Sequence, residues 1–198
     1  LVIFILFNSH GHAEDVKKIL LIYGDSISAG YGMSKDEQWS EELKVIFSEQ
    51  NINIKIENQS VSGETTAGGL SRLVNVLDQL NPSYLLIELG GNDALRGYPP
   101  KKILQNLNQM ISIAKKRDIN VFLMQIKILP NYGKRYQDQF EGIYPKAALE
   151  NNITLIPFML DNIALEKDMM LPDGIHPNKS AQPMIAQYVF DDLKPFLN

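Results

Sequence analysis

Four short segments hold the residues best suited to covalent chemistry: Gly24-Asp25-Ser26, Ser62-Gly63-Glu64-Thr65, Gly90-Gly91-Asn92-Asp93 and Asp173-Gly174-Ile175-His176-Pro177. A hydroxyl is a weak nucleophile near neutral pH. A serine that attacks a carbonyl therefore needs a base within hydrogen-bond reach and a third group that fixes the tautomer of that base. Of the three histidines, His10 and His12 fall in the first thirteen residues, so His176 is the one imidazole of the remaining chain. Asp173 stands three residues before it across a glycine turn, a spacing that lets the carboxylate reach the ring. Ser26, His176 and Asp173 thus fit the roles of nucleophile, base and orienting acid. The oxygen that becomes anionic in a tetrahedral intermediate needs rigid donors, and losing one costs about 2.7–4 kcal/mol. The candidates are the amides of Ser26 and Gly63 and the side-chain amide of Asn92. With no cysteine in the sequence, a thiol nucleophile, a disulfide framework and cysteine-ligated zinc are all excluded.

Each of these residues also has a purely structural use. Ser26 can cap the helix that follows it, His176 can pack beside the last helix, Gly63 can simply occupy a positive-φ conformation, and Asn92 can bridge loops. Asp25 and Asp93 read as structural hydrogen-bond acceptors. Two other function classes use the same residues. In a phosphoesterase, Asp25, Asn92, Asp93 and His176 would hold metal ions that activate water, but one available histidine speaks against that and no metal is expected. In a binding module, the glycine-rich first loop would cradle phosphate. That loop lacks a P-loop lysine, and binding alone leaves the Asp173/His176 pair without a purpose.

The elements that must position these segments follow from the apolar pattern. Near-continuous apolar runs at 19–23, 54–57, 84–89, 120–126 and 154–158 predict five strands buried on both faces of a parallel sheet. Strand starts recur about every 30–36 residues, the length of a βα unit. Between them, Trp39, Leu43, Ile46 and Phe47 share a helical face, as do Leu70, Leu73, Val74 and Leu77, and Ile103, Leu107, Met110, Ile111 and Ala114. Tyr136, Phe140, Ile143 and Tyr144 continue the pattern, with Pro145 expected to kink or split that helix. A last helix is predicted from about Ser180, with Pro183 in its first turn. In such α/β sheets, binding groups gather beyond the carboxyl ends of the strands, where all four chemical segments fall.

The chain of 198 residues, with 44% apolar and 21% charged side chains, predicts one soluble domain rather than a disordered tail. Its 19 basic and 23 acidic residues give a net charge of −4 with no basic track, so nucleic acid is not an expected partner. Residues 1–13 differ from the rest: an apolar run from Leu1 to Phe7 leads to Gly11 and Ala13, small residues at minus three and minus one of a cleavage point before Glu14. This reads as the end of a truncated signal peptide and predicts an exported, periplasmic domain over 14–198. Seven apolar residues are too few to span a bilayer, which takes about 20.

In this order the four segments resemble the blocks of the SGNH (GDSL-type) hydrolases. More narrowly, residues 19–197 look like the bacterial multifunctional acyl-CoA thioesterase I, lysophospholipase L1 and arylesterase group, with Pro130-Asn131-Tyr132-Gly133 and Ile143-Tyr144-Pro145-Lys146 adding to the likeness. The resemblance implies Ser26 as nucleophile, Asp173 and His176 as its partners, and Ser26, Gly63 and Asn92 as oxyanion donors. It also implies a flavodoxin-like three-layer α/β/α sandwich, an exported location and no cofactor. Ile27 stands where the name motif has Leu, an exchange of equal volume that predicts repacking rather than lost activity. On this reading the substrates are acyl thioesters and carboxylic esters, including acyl-CoA, lysophospholipid and aryl esters. Leu95, Tyr98 and Leu129 are expected to bind the acyl chain. Arg96, Lys127, Lys134 and Arg135 read first as solvated surface charge. A carbohydrate acetylesterase of the same fold is the alternative, but the one tryptophan, Trp39, sits in a helical stripe and offers no evident platform for a sugar.

Overall fold

Runs rich in Ile, Leu and Tyr form β1 (Lys18–Gly24), β2 (Ile54–Asn58), β3 (Tyr84–Glu88), β4 (Asn120–Met124) and β5 (Thr154–Ile156). The computed structural model describes residues 18–128 and 132–197. The leader predicted at 1–13 and the acyl contact predicted at Leu129 lie outside the described residues. All strand pairs are parallel, in the order β2-β1-β3-β4-β5, which is the flavodoxin-like arrangement. Residues 20–24 of β1 and every residue of β3 are buried, as strands covered on both faces must be.

The helices are α1 (Trp39–Glu49), α2 (Thr66–Leu80), α3 (Gly91–Leu95), α4 (Pro100–Lys115), α5 (Lys134–Glu141), α6 (Ile143–Asn151) and α7 (Gln182–Leu193). Helix α1 packs against α7, while α2, α4, α5 and α6 pack among themselves, so the sheet lies between two helical layers. The predicted stripes of α1 and α4 face the core through Trp39, Leu43 and Phe47, and through Ile103, Leu107, Met110, Ile111 and Ala114. In α2 the stripe is narrower than expected: Leu73 and Leu77 are buried, whereas Val74 is exposed. Among the described residues no helix is long and apolar enough to cross a membrane.

Three boundaries differ from the sequence reading by two residues or more. Strands β4 and β5 end at Met124 and Ile156, two residues earlier than the apolar runs suggested. The Gln125 amide donates to the Ile156 carbonyl at 2.8 Å, and beyond that rung Ile126 and Phe158 line a cavity instead of extending the ladder. The helix expected to break at Pro145 divides at Gly142. Pro145 is the third residue of α6, where amides have no partner within the helix and a missing N–H costs nothing.

The chain runs from β1 outward to β2 and then crosses to β3 on the other side of β1. This reversal opens a crevice at the carboxyl ends of β1 and β3, the usual location of binding groups in open α/β sheets.

Candidate active site

The chain leaves β1 through Gly24-Asp25-Ser26 and turns at once, with the Ala29 amide donating to the Asp25 carbonyl (2.8 Å) and the Tyr31 amide to the Ser26 carbonyl (3.0 Å). The loop after β2 is tied to the same point: the Gly24 amide donates to Ser60 Oγ (2.9 Å) and the Val61 amide to the Gly24 carbonyl (3.0 Å). Asp25 is buried beneath Ser26. Its Oδ1 accepts the Ile27 amide (3.1 Å) and its Oδ2 accepts Asn92 Nδ2 (3.0 Å). Behind it lies Glu88, the last residue of β3, whose Oε2 accepts the Ser28 hydroxyl (2.7 Å) and the Asp25 amide (3.3 Å). A Cβ at Gly24 would collide with the Glu88 carboxyl, so the residue that starts the turn has to be glycine.

The histidine arrives from the opposite end of the sequence. Its Nε2 lies 2.8 Å from Ser26 Oγ across 150 residues of chain, and its Nδ1 lies 2.8 Å from Asp173 Oδ2. Asp173 Oδ1 accepts the amides of Ile175 (2.9 Å) and His176 (3.0 Å), which wraps the turn around the carboxylate. The Leu171 amide donates to the His176 carbonyl at 2.7 Å and closes the loop at its base. The Tyr31 ring lies against the imidazole, with centroids 4.4 Å apart and planes at 34°.

These surroundings move the neighbouring carboxyls in opposite directions. The His176 amide, the imidazole and the Ile175 amide hold Asp173 down at about 2, against a smaller upward push from burial. Burial pushes Asp25 up to about 6, more than the Ile27 and Asn92 donors pull it down. Glu88 lies well above the ordinary carboxylate range, first because it is buried and then because the Asp25 carboxylate faces it. Burial also raises Asp93 against the two bonds it accepts from Thr66.

The three oxyanion candidates come from three loops. The amides of Ser26 and Gly63 have no acceptor among the described residues. Gly63 has φ of +78° and is exposed, so the structural reading of a positive-φ glycine holds as well. Asn92 is held by Asp25 as described, which leaves its second amide hydrogen unassigned.

A cavity of about 310 Å³ begins at Ser26, Asn92 and His176 and continues between Ile27, Leu95, Ile126, Ile128, Phe158 and Leu160. Leu95, read as an acyl contact, is one of the lining residues. Tyr98 does not line the cavity; its backbone amide donates to the Asp93 carbonyl (3.0 Å) and its carbonyl accepts the Tyr136 hydroxyl (2.6 Å). Gly63 also lies outside the lining. The sequence reading missed Glu88, Tyr31 and the stretch after β5 that contributes Leu160, Leu165 and Met170. A lone carboxylate closing an otherwise apolar strand was the available signal for Glu88. For the stretch, it was a group of apolar residues, Leu160, Ile163, Ala164 and Leu165, without the length of a helix. Asp25 and Asp93 spend their oxygens on protein donors, and no group of three or more His, Asp or Glu among the described residues is placed to hold a metal ion.

The sequence profile of the GDSL-like lipase/acylhydrolase family matches residues 22–182. The chain belongs to this family. An arylesterase of Vibrio mimicus is 45% identical over 189 residues, covering 96% of this chain and 94% of that protein. The thioesterase 1/protease 1/lysophospholipase L1 of Escherichia coli (strain K12) is 42% identical over 179 residues, covering 90% of this chain and 85% of that protein. Among solved structures, the psychrotrophic esterase EstA from Pseudoalteromonas sp., inhibited by monoethylphosphonate, is similar with a TM-score of 0.89 at 39% identity, covering 91% of this chain and 99% of that one. The family is the one that the four sequence blocks resemble.

Proposed function

We propose that this member of the family is a serine hydrolase that cleaves carboxylic esters and thioesters through an acyl-enzyme. The observation that carries the reading is the pair of 2.8 Å contacts that join Ser26 Oγ to His176 Nε2 and His176 Nδ1 to Asp173. Family relatives named arylesterase and thioesterase/lysophospholipase support it. In the first step Ser26 Oγ attacks the carbonyl carbon while His176 Nε2 takes its proton. The displaced electron pair moves onto the carbonyl oxygen, where the amides of Ser26 and Gly63 and the Asn92 side chain receive it. Collapse of the intermediate expels the alcohol or thiol with the proton returned from His176. Water, deprotonated by the same imidazole, then attacks the acyl-serine and releases the acid. Asp173, held near 2, stays ionised and stabilises the imidazolium without taking its proton.

The apolar cavity supports an acyl chain as the group bound beside the serine. Burying each methylene contributes about 0.8 kcal/mol, or about fourfold in kcat/KM. Activity on p-nitrophenyl esters is therefore expected to rise with acyl length until the cavity is full, and a flat series from acetyl to palmitoyl would overturn this reading. Trp39 is fully buried, so nothing favours the carbohydrate acetylesterase alternative. A fluorophosphonate is expected to label the folded protein at Ser26, with hydrolysis unaffected by chelators. Folded protein that resists the label would refute the assignment. Export of the domain rests on the sequence of residues 1–13, and recovery of the protein from a periplasmic fraction with Glu14 at its N-terminus is its test.

A further inference from the structure

Asp93 has no step in the reaction above, yet its carboxylate is buried and fully engaged. Oδ2 accepts the Thr66 amide at 2.8 Å and Oδ1 accepts the Thr66 hydroxyl at 2.6 Å. The same hydroxyl accepts from Asn106 Nδ2 on α4 at 3.0 Å, so its own hydrogen is committed to Asp93. Thr66 is the first residue of α2, three residues after Gly63, and Asp93 follows Asn92 within α3. The bonds therefore join the two segments that carry Gly63 and Asn92. Both segments take their position from bonds to the rest of the molecule. The loop that holds Gly63 is exposed, and α3 has only five residues, too few for a helix to be stable alone. A second tie, from Arg96 Nη2 to the Gly63 carbonyl at 3.2 Å, is exposed and adds little.

We propose that Asp93 is a positioning residue which, through its two bonds to Thr66, sets the Gly63 amide against the Asn92 side chain so that both donors meet the same oxygen. The inference rests on the reading of Gly63 and Asn92 as oxyanion donors. Such donors act only when held within hydrogen-bond distance of the developing anion. Two bonds from one carboxylate to one residue fix both distance and rotation, which a single bond would not. Asn106 keeps the hydroxyl from turning away.

Thr66→Val removes the hydroxyl at nearly constant shape, whereas Thr66→Ser keeps it. Thr66→Val is expected to lower kcat on p-nitrophenyl esters about tenfold or more, since a shift of about 1 Å in a donor can cost about a hundredfold. KM should stay within about twofold, because the lost interaction belongs to the transition state. Inactivation by a fluorophosphonate should slow in parallel, while Thr66→Ser stays near wild type and thermal melting verifies that both are folded. Asp93→Asn should reproduce the kcat loss and provides the test if Thr66→Val does not fold. A wild-type kcat in folded Thr66→Val or Asp93→Asn, equal losses in Thr66→Val and Thr66→Ser, or a loss confined to KM would overturn the proposal. Asn92→Ala separates the two levels. If it keeps full kcat, the oxyanion reading falls and this inference with it; if it loses kcat while folded Thr66→Val and Asp93→Asn do not, only the role of Asp93 falls.

Discussion

The serine side of the site and the histidine side are built by opposite means. Ser26 stands on a buried network in which Asp25 and Ser28 meet Glu88 and Asn92 from a second stretch of chain about 60 residues away. Asp173 and His176 form a surface turn whose bonds close on themselves, and their side chains are 38% and 16% exposed. One side of the candidate site is therefore founded on the core, and the other is an attachment at the surface. Damage to the buried network beneath Ser26 should cost folding as well as rate, whereas loss of the Ser26 hydroxyl itself or damage to the surface turn should cost mainly rate.

The largest effect expected is that of Ser26→Ala or His176→Ala, each lowering kcat by about 10⁴ to 10⁶-fold with an unchanged melting temperature. Asp173→Asn comes next. It leaves the imidazole in the wrong tautomer and should lower kcat by about 10⁴-fold, while the urea midpoint at neutral pH falls only slightly, because the side chain is partly exposed and an amide oxygen still accepts the Ile175 and His176 amides. Asp25→Ala should cost more stability than Asp173→Asn. It strands the Ile27 and Asn92 donors, each costing about 1–3 kcal/mol if left unpaired, and the urea midpoint reads the loss. If Asp173→Asn destabilises the protein as much as Asp25→Ala does, the contrast between the two sides fails.

Acidity sharpens the same contrast with a definite sign. Asp25, raised from 3.8 to about 6, binds its proton more tightly in the folded protein than in the unfolded chain, so its contribution to stability falls as pH rises from about 4 to about 6. Asp173, lowered from 3.8 to about 2, binds its proton less tightly when folded, so its contribution is present above about 4 and is lost as pH falls toward 2. Urea titrations across this range should show the first slope lessen in Asp25→Asn and the second lessen in Asp173→Asn. The smallest effect is at Tyr31, whose ring lies on His176. An aromatic contact of this kind is worth about 0.5–1.5 kcal/mol, so Tyr31→Ala should lower kcat about two- to tenfold and Tyr31→Phe hardly at all.

Much of the scaffold was legible because its strands are buried on both faces and leave uninterrupted apolar runs at regular spacing. What the runs could not reveal is where hydrogen bonding stops. Ile126 and Phe158 are as apolar as the strands they follow, but the surface that they cover belongs to the cavity. The helix break was misplaced for a related reason. Proline is a strong local signal, yet its effect depends on position within a helix, and Gly142 ends α5 before Pro145 is reached. At the site, Ser26, Asp173 and His176 were singled out by residue type, by the one imidazole outside the first thirteen residues and by the four family blocks taken together, and the structure brings the three into contact. Glu88 and Thr66 were not, because what they do depends on partners about 60 and 27 positions away. Tyr98 was read as an acyl contact from its neighbourhood in sequence, but it is not among the residues that line the cavity.

The turn from Leu171 to His176 brings its own geometry with it: acid, base and the amides that orient them all lie within six consecutive residues. It behaves as a cartridge. Any framework that clamps its two ends beside a nucleophile receives a matched acid and base, so the flanking stretches that shape the mouth are free to diverge in length and composition without detuning the pair.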